Sequence, residues 1–339
     1  MFYDWINFLK KLTFRKIVNY LMLKASYFLS VLLRKPFVFG FPAIVTVEPT
    51  NLCNLRCIGC PAGNGSMARS RGNLDISLFI SLIDELSPFL SYLMLYFQGE
   101  PLLHPQLTEF IRYAAYKKVY TSLSTNGHHL SRQNAKKLIE SGLDRIVISL
   151  DGTDQESYIK YRQGGDFNKV LQGIVNLVQL KKEMNSRLPL IILQFIIMSH
   201  NEHQIDDVKT LGRSLKVDRT VIKSLQVNDL KNNIDLLPSN SGFSRYKLNK
   251  NGEAVIKNRL RNKCRRLWHT MVMLHDGCMV PCCFDKDAQF IIGRYPDSSI
   301  LNIWKGKQLR RFRQKILNSR KNIQMCCNCT EGGMRIYIR

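Results

Sequence analysis

Short apolar runs alternate with longer amphipathic stretches between about residues 43 and 223 of the chain. The runs are rich in β-branched and aromatic residues, which is typical of strands, and the stretches between them show the periodicity of helices. The predicted strands are 43–47, 92–97, 119–124, 145–150, 190–197 and 220–223. The predicted helices lie near 75–87, 105–117, 131–141, 168–184 and 202–215. Six successive βα units predict an α/β fold in which a partial (β/α)6 barrel resembles the TIM barrel.

The N-terminal region does not follow this alternation. Residues 17–33 are strongly apolar, but Asn19 and Lys24 interrupt them, and the run is shorter than the ~20 residues that a membrane span needs. Apolar and basic residues together predict an amphipathic helix that lies either on a membrane or on the protein's own barrel. No small-residue cleavage site follows it, so we do not expect a signal peptide.

The βα rhythm stops near residue 236, where a polar, basic segment begins and leads to a cysteine-rich region. We therefore predict three segments: a basic amphipathic helical segment 1–38, a barrel 39–235, and a small cysteine-rich domain 236–339.

The chain is strongly basic, with 50 Lys and Arg against 26 Asp and Glu and a formal net charge of +24. This excess favours polyanionic partners such as RNA, anionic lipid or an acidic peptide. Residues 304–317 carry six of the basic side chains. They predict either a solvated helix face or a contact with an anionic substrate or membrane.

The ten cysteines form two groups, three between residues 53 and 60 and seven between residues 264 and 329. Clustered thiols in a long chain indicate metal sites in a reducing compartment, so we expect a cytoplasmic protein. Cys53, Cys57 and Cys60 follow the first predicted strand directly. A structural zinc ion normally takes four ligands, whereas three thiolates on an iron–sulfur cluster leave one iron open to a small molecule. Zinc remains the alternative.

Other informative residues also stand at the carboxyl ends of predicted strands, where barrel enzymes place their active sites. Glu48 follows the first strand, Gln98–Pro101 follow the second, and Asp151 follows the fourth. The C-x3-C-x2-C spacing after a strand resembles the radical S-adenosylmethionine (radical SAM) superfamily, over about residues 43–223. The resemblance implies that the three cysteines hold a [4Fe–4S] cluster, which cleaves S-adenosylmethionine to a 5′-deoxyadenosyl radical that abstracts a substrate hydrogen.

The same resemblance implies the residues that bind S-adenosylmethionine. The usual Gly-Gly-Glu-Pro motif is here Gln98-Gly99-Glu100-Pro101, in which Gly99 permits close backbone approach and Glu100 accepts hydrogen bonds from the methionine ammonium group. The relatives' ribose and carboxylate contacts correspond to Ser149, Asp151 and Arg162. Relatives often carry an aromatic residue where this chain has Gly59, so adenine stacking is unassigned.

The second cysteine group resembles the SPASM or twitch extension of radical SAM enzymes, in which a hairpin and a C-x2-C pair hold an auxiliary [4Fe–4S] cluster. The resemblance implies as ligands Cys264, Cys282, Cys326 and Cys329. We expect the other three thiols to be unligated, although Cys283 or Cys327 could replace its neighbour. A zinc ribbon is the alternative. Asp285, beside these cysteines, is a candidate general base.

The leading hypothesis is a radical SAM oxidoreductase of the maturase type that acts on a peptide or protein side chain. Dehydrogenation of a small sugar or aminocyclitol is the alternative, and a non-catalytic, zinc-containing protein that binds RNA or membrane is the alternative of another class. For the enzyme we expect a reductant of the flavodoxin or ferredoxin type and no nucleic-acid partner. We also expect a cytoplasmic location with peripheral contact at the inner membrane surface.

Overall fold

A computed structural model of the chain describes residues 2–227, 230–329 and 337–338. The helices are α1 Phe2–Lys10, α2 Phe14–Leu33, α3 Pro61–Asn64, α4 Ile76–Leu86, α5 Leu107–Tyr116, α6 Arg132–Glu140, α7 Gln155–Ile159, α8 Phe167–Glu183, α9 Ile205–Ser214, α10 Ile300–Lys305, α11 Lys307–Ser319 and α12 Gln324–Cys327. The strands are β1 Ile44–Val47, β2 Tyr92–Met94, β3 Tyr120–Thr125, β4 Arg145–Ser149, β5 Leu190–Ile197, β6 Arg219–Ser224, β7 Tyr246–Leu248, β8 Ala254–Ile256, β9 Thr270–Met273, β10 Cys278–Val280, β11 Gly293–Arg294 and β12 Tyr337–Ile338.

Short polar side chains determine where several helices begin. Asp75 accepts hydrogen bonds from the first amides of α4, Ser131 does so for α6, and Asp166 for α8. These side chains satisfy amide groups that have no carbonyl partner within the helix. The six predicted strands and five predicted helices of the βα region are all present, with ends that differ by a few residues.

The chain divides into two compact units. The first unit contains residues 1–52, 68–123 and 260–332. In it β1 pairs in parallel with β2 on one side and with β9 on the other, and β9 continues through the antiparallel strands β10 and β11. The parallel pairing of β9 was not predicted, because this strand lies in the cysteine-rich segment that we had assigned to a separate domain.

The second unit contains residues 53–67, 124–259 and 333–339. Its strands β4, β5 and β6 are parallel, β12 is antiparallel to β6, and β7 and β8 form a separate hairpin. The parallel strands of both units, with helices between them, confirm the predicted mixed α/β class with a mostly parallel sheet, as in TIM-like barrels. The three segment boundaries given above remain a prediction.

The N-terminal region forms two helices, α1 and α2, rather than one. Within the described residues, α2 is the helix whose length and apolar composition would suffice to cross a membrane. The core helix of a protein and a signal sequence share this length and composition.

Candidate functional site

The first three cysteines lie on one loop between β1 and α3. Cys57 is buried, whereas Cys53 and Cys60 are half-buried. The Cys60 amide donates to the Cys57 carbonyl at 3.2 Å, and the intervening Gly59 has a φ of +72°. This left-handed conformation favours glycine over a bulky residue. Adenine stacking stays unassigned.

The cysteine loop is bonded to the chain that follows α7, within the second unit. Because Arg162 lies in that stretch, its Nη1 atom reaches to 3.7 Å from the Cys57 Sγ atom. Burial raises the pKa of the Cys57 thiol, and the positive charge of Arg162 opposes part of this rise. Two backbone hydrogen bonds connect the cysteine loop to this stretch. The Arg56 amide donates to the Gln163 carbonyl at 2.9 Å, and the Ile58 amide donates to the Tyr161 carbonyl at 3.2 Å.

Arg162 is held in turn by Asp151, which is fully buried just beyond the carboxyl end of β4. One carboxylate oxygen of Asp151 accepts from Arg162 Nε at 2.7 Å and Nη2 at 2.6 Å, and the other accepts from the Ile196 amide at 2.8 Å. Burial alone lowers the pKa of Arg162, but the Asp151 carboxylate outweighs it and the pKa lies above its usual value. The structure therefore brings Asp151, Arg162 and Cys57 together. Ser149, also buried, ends β4 two residues before Asp151.

The Gly99–Glu100 loop lies against the residues that precede Cys53, within the first unit. Gly99 has a φ of +77°, and a Cβ atom on it would stand 2.6 Å from the Leu52 carbonyl oxygen. The Glu100 amide donates to the same Leu52 oxygen at 2.7 Å, and the Glu100 carboxylate accepts from the Leu102 amide at 3.1 Å. Glycine is thus required here for close contact between two loops.

A buried ion pair at the end of β1 was missed from the sequence. Glu48 is fully buried and accepts from Arg69 Nη1 at 2.8 Å and Nη2 at 2.7 Å, and its Oε2 atom lies 3.2 Å from Nδ1 of His275. Burial alone raises the pKa of Glu48, but the hydrogen bonds from Arg69 and His275 outweigh it and lower the pKa. Glu48 was noted at a strand end, but nothing in the spacing of these three residues predicts their contact.

The second cysteine group forms a pocket in the first unit. Three of its four predicted ligands are buried and Cys264 is half-buried. Burial raises the pKa of the Cys326 thiol to about 12, and the positive charge of Arg320 opposes part of this rise. Burial lowers the pKa of Arg320, but the Cys329, Cys264 and Cys326 sulfurs outweigh it and raise the pKa. The residues that line the pocket include Cys264, Cys282, Cys326, Cys329, Arg266, Arg320, Phe284 and Phe312.

The other three cysteines of this group do not line the pocket. Cys278 is buried in β10, Cys283 accepts from Arg266 Nη1 at 3.2 Å, and the exposed Cys327 donates to the Lys321 carbonyl at 2.9 Å. These contacts favour the predicted set of four. All ten cysteines lie in the described part of the chain, and none forms a disulfide.

The cysteine donors fit an iron–sulfur cluster in their chemistry, because such clusters take soft thiolate ligands. In the part of the chain that the structure describes, no three His, Cys, Asp or Glu side chains converge closely enough to hold one metal ion. Zinc requires four sulfurs at about 2.3 Å from one point. A cluster with several irons spreads its thiolate ligands around a larger body. Four soft sulfur donors, three of them buried, line one pocket and have the chemistry that such a group requires.

Asp285, the predicted general base, is buried near this pocket. Its two carboxylate oxygens accept from the amides of Gln289 and Phe290, each at 2.8 Å. Burial raises the pKa of Asp285. Through these hydrogen bonds Asp285 stabilises the loop that contains residues 285–290. Its role as a general base stays a prediction.

Two family sequence models match the chain. The model described as the Radical SAM superfamily covers residues 47–204, and the SPASM model, described as an iron-sulfur cluster-binding domain, covers residues 264–330. With the parallel-stranded fold and the three-cysteine loop, they define a radical SAM enzyme, and the chain belongs to that superfamily. It is one of the members that carry a SPASM domain. A [4Fe–4S] cluster and S-adenosylmethionine are implied for the first domain and auxiliary iron–sulfur for the second.

Named relatives cover the chain to different extents. The tungsten-containing aldehyde ferredoxin oxidoreductase cofactor-modifying protein of Pyrococcus furiosus is 25% identical over 300 residues, 79% of this chain and 82% of that protein. PqqA peptide cyclase of Rhodopseudomonas palustris is 29% identical over 206 residues, 59% of this chain and 52% of that protein. The chain thus spans about half the length of several curated relatives.

A solved structure supports the fold. Streptococcus suis SuiB bound to S-adenosylmethionine superimposes with a TM-score of 0.62 at 15% identity, over 88% of this chain and 74% of that chain.

Proposed function

We propose that this chain is a maturase-type radical SAM oxidoreductase that abstracts a hydrogen atom from a peptide or protein side chain. The observation that carries the proposal is the three-cysteine loop, in which two half-buried thiols flank Cys57 and the partly buried Arg162 stands beside it. When bound, the reduced [4Fe–4S] cluster supplies the electron that cleaves S-adenosylmethionine to methionine and a 5′-deoxyadenosyl radical.

Each side chain has a proposed role. Cys53, Cys57 and Cys60 hold the catalytic cluster, and Arg162 offers its positive charge to the methionine carboxylate. Asp151 acts by fixing Arg162, because both of its oxygens are already engaged.

The remaining cofactor contacts come from two other loops. Gly99 keeps its loop close to the residue before Cys53, and Glu100 accepts from the methionine ammonium group. Ser149 offers its hydroxyl to the ribose. The auxiliary cluster is held by Cys264, Cys282, Cys326 and Cys329.

A peptide substrate is supported by the relatives, because one of them is a peptide cyclase and SuiB has also been solved with its precursor peptide SuiA. A small sugar or aminocyclitol alcohol is the alternative substrate class. The proposal also includes electron supply by a flavodoxin- or ferredoxin-type protein and a cytoplasmic location.

The function is tested by anaerobic reconstitution and metal analysis. We expect about eight irons per chain and absorbance near 400 nm for two [4Fe–4S] clusters. The variant Cys57→Ala should lose 5′-deoxyadenosine formation and about half of the iron, whereas Cys327→Ala, whose thiol is exposed and outside the pocket, should retain both. Undiminished cleavage by Cys57→Ala would refute the assignment.

The substrate class needs a separate readout. Deuterium transfer from a uniformly deuterated peptide into 5′-deoxyadenosine supports the peptide proposal. Transfer only from a deuterated sugar or aminocyclitol would replace it with the alternative.

A further inference from the structure

The helix α2 carries its polar side chains inward and its apolar side chains outward. Four of its five buried residues are polar. A helix that merely covers a protein core shows the opposite arrangement. The buried residues are Lys16, Asn19, Leu23, Ser26 and Ser30.

Hydrogen bonds fix this orientation of α2. The Asn19 side chain donates to the carbonyls of Phe41 at 3.1 Å and Phe89 at 3.3 Å, and it accepts from the Phe41 amide at 2.8 Å. Ser30 accepts from Nε1 of Trp268 at 3.0 Å. Rotation of the helix would leave these buried groups without partners, so the outward apolar face is a consequence of specific bonding.

Lys16, on the same buried face, provides a further anchor. Its ammonium group donates to the carbonyl of Lys118 at 2.6 Å and to that of Lys11 at 3.1 Å. These two hydrogen bonds from Lys16 hold the start of α2 against the first unit.

The outward face of α2 forms a continuous apolar stripe. Its members follow one another at intervals of three, four or seven residues, which places them on one side of a helix opposite the buried polar residues. Phe14 is 81% exposed and Phe28 is 68% exposed. The stripe consists of Phe14, Ile17, Leu21, Phe28 and Leu32.

The preceding helix adds aromatic side chains of the same kind. On α1, Tyr3, Trp5 and Leu9 are exposed, Trp5 by 63%. Many exposed apolar side chains on two adjacent helices mark an interaction site. Trp and Tyr are enriched where proteins contact the headgroup region of a bilayer.

The charges around these helices select the partner. Residues 1–35 contain seven Lys and Arg and one acidic residue, Asp4. The exposed basic side chains there are Lys10, Arg15, Lys24, Arg34 and Lys35. A narrow apolar stripe with aromatic residues, bordered by exposed cations, is the pattern of a helix that lies in the interface of an anionic membrane.

We propose that the outward faces of α1 and α2 form a docking surface for anionic phospholipid membranes, with α2 lying in the plane of the membrane. An in-plane position keeps Lys16 and Asn19 bonded to the first unit. A transmembrane position would require both side chains to leave their partners for hydrocarbon. The surface would hold the enzyme at a membrane independently of the chemistry at its cysteine sites.

The test uses the full-length, cluster-loaded protein and vesicles of phosphatidylcholine alone or mixed with phosphatidylglycerol. We expect co-sedimentation with the mixed vesicles, weaker binding at high salt, and quenching of Trp5 fluorescence by brominated lipid that is absent from the Trp5→Phe variant. The double variant Phe14→Gln/Phe28→Gln should bind at least about tenfold more weakly. Tyr116→Gln, which changes a residue that is 78% exposed on α5, is the matched control and should bind like the original protein.

Several outcomes would overturn the proposal. They are equal binding by the double variant, absence of binding to anionic vesicles, and protein that resists alkaline carbonate extraction as an integral protein does. Self-association in solution that buries the stripe, without vesicle binding, would assign the surface to a second copy of the chain instead. Unchanged 5′-deoxyadenosine formation by the double variant separates this proposal from that for the cysteine sites.

Discussion

The two cysteine sites are assembled in different ways. The first is local: three cysteines within eight residues of sequence share one loop, and two of them are half-buried. The second gathers cysteines that are up to 65 residues apart, from Cys264 to Cys329, and three of its four members are buried. An accessible local loop suits a site that must admit a ligand, whereas an enclosed pocket suits a cluster with no exchangeable position.

Their electrostatic environments differ as well. Arg162, which approaches the first loop, is neutralised by the buried Asp151 carboxylate. The Arg320 pKa at the second pocket is raised by the cysteine sulfurs themselves. A carboxylate therefore balances the arginine at the first site, whereas cysteine sulfurs face the arginine at the second pocket.

The largest expected effect separates the two sites by function. The double variant Cys282→Ala/Cys326→Ala should lose about half of the iron and all substrate product, yet it should still form 5′-deoxyadenosine within about tenfold of the original rate. Iron analysis and chromatography of the nucleoside provide the measurement. If 5′-deoxyadenosine formation disappears while the spectroscopic response to S-adenosylmethionine persists, the assignment of separate functions to the two cysteine sites is wrong.

The next prediction concerns the charge balance of the first site. Arg162→Leu should reduce the free energy of unfolding by about 3–5 kcal/mol, because it leaves Asp151 buried without its partner. Anaerobic urea denaturation measures this loss, and titration with S-adenosylmethionine measures the accompanying loss of affinity. Arg162→Lys, which keeps the charge but not the paired geometry, should fall between the two proteins. Equal stability of all three would contradict the proposed role of the ion pair.

A smaller effect is expected at the loop that carries Gly99. Gly99→Ala should reduce the free energy of unfolding by about 1–3 kcal/mol, since alanine is strained at this positive φ and its Cβ would collide with the Leu52 carbonyl. Gly65→Ala is the control, because Gly65 has a φ of +79° with no atom within 4 Å of an added Cβ. The difference between the two losses measures the loop contact, and no difference would mean that this contact is unimportant.

The smallest effect is a difference in thiol reactivity in metal-free protein. Burial raises the pKa of Cys326 to about 12, so only a small fraction of this thiol is deprotonated at pH 9. Because the thiolate is the reactive form, iodoacetamide should leave Cys326 unmodified between pH 7 and 9. The half-buried Cys53 and Cys60 and the exposed Cys327 should be modified first. Mass spectrometry of the peptides reads out the order. Rapid labelling of Cys326 would show that its pocket does not persist without metal.

The sequence predicted the local site more completely than the distant contacts. Buried parallel strands such as β4 and β5 are continuous apolar runs, and capping residues such as Asp75 stand next to their helices, so both are visible in sequence. The C-x3-C-x2-C loop is equally local. The contact of Glu48 with Arg69 and His275 joins residues up to 227 positions apart, and no periodicity signals it.

The pairing of β9 with β1 has a consequence for engineering. Thr270–Met273 lies inside the region that matches the SPASM model, yet it is hydrogen-bonded alongside Ile44–Val47, the strand that leads into the cysteine loop. Truncation before residue 264 would expose one flank of that strand to solvent and to chance β-pairing with other chains. The C-terminal region is therefore not an independent module. Exchanging it between relatives would require exchange of β1 as well, because β1 pairs with β9.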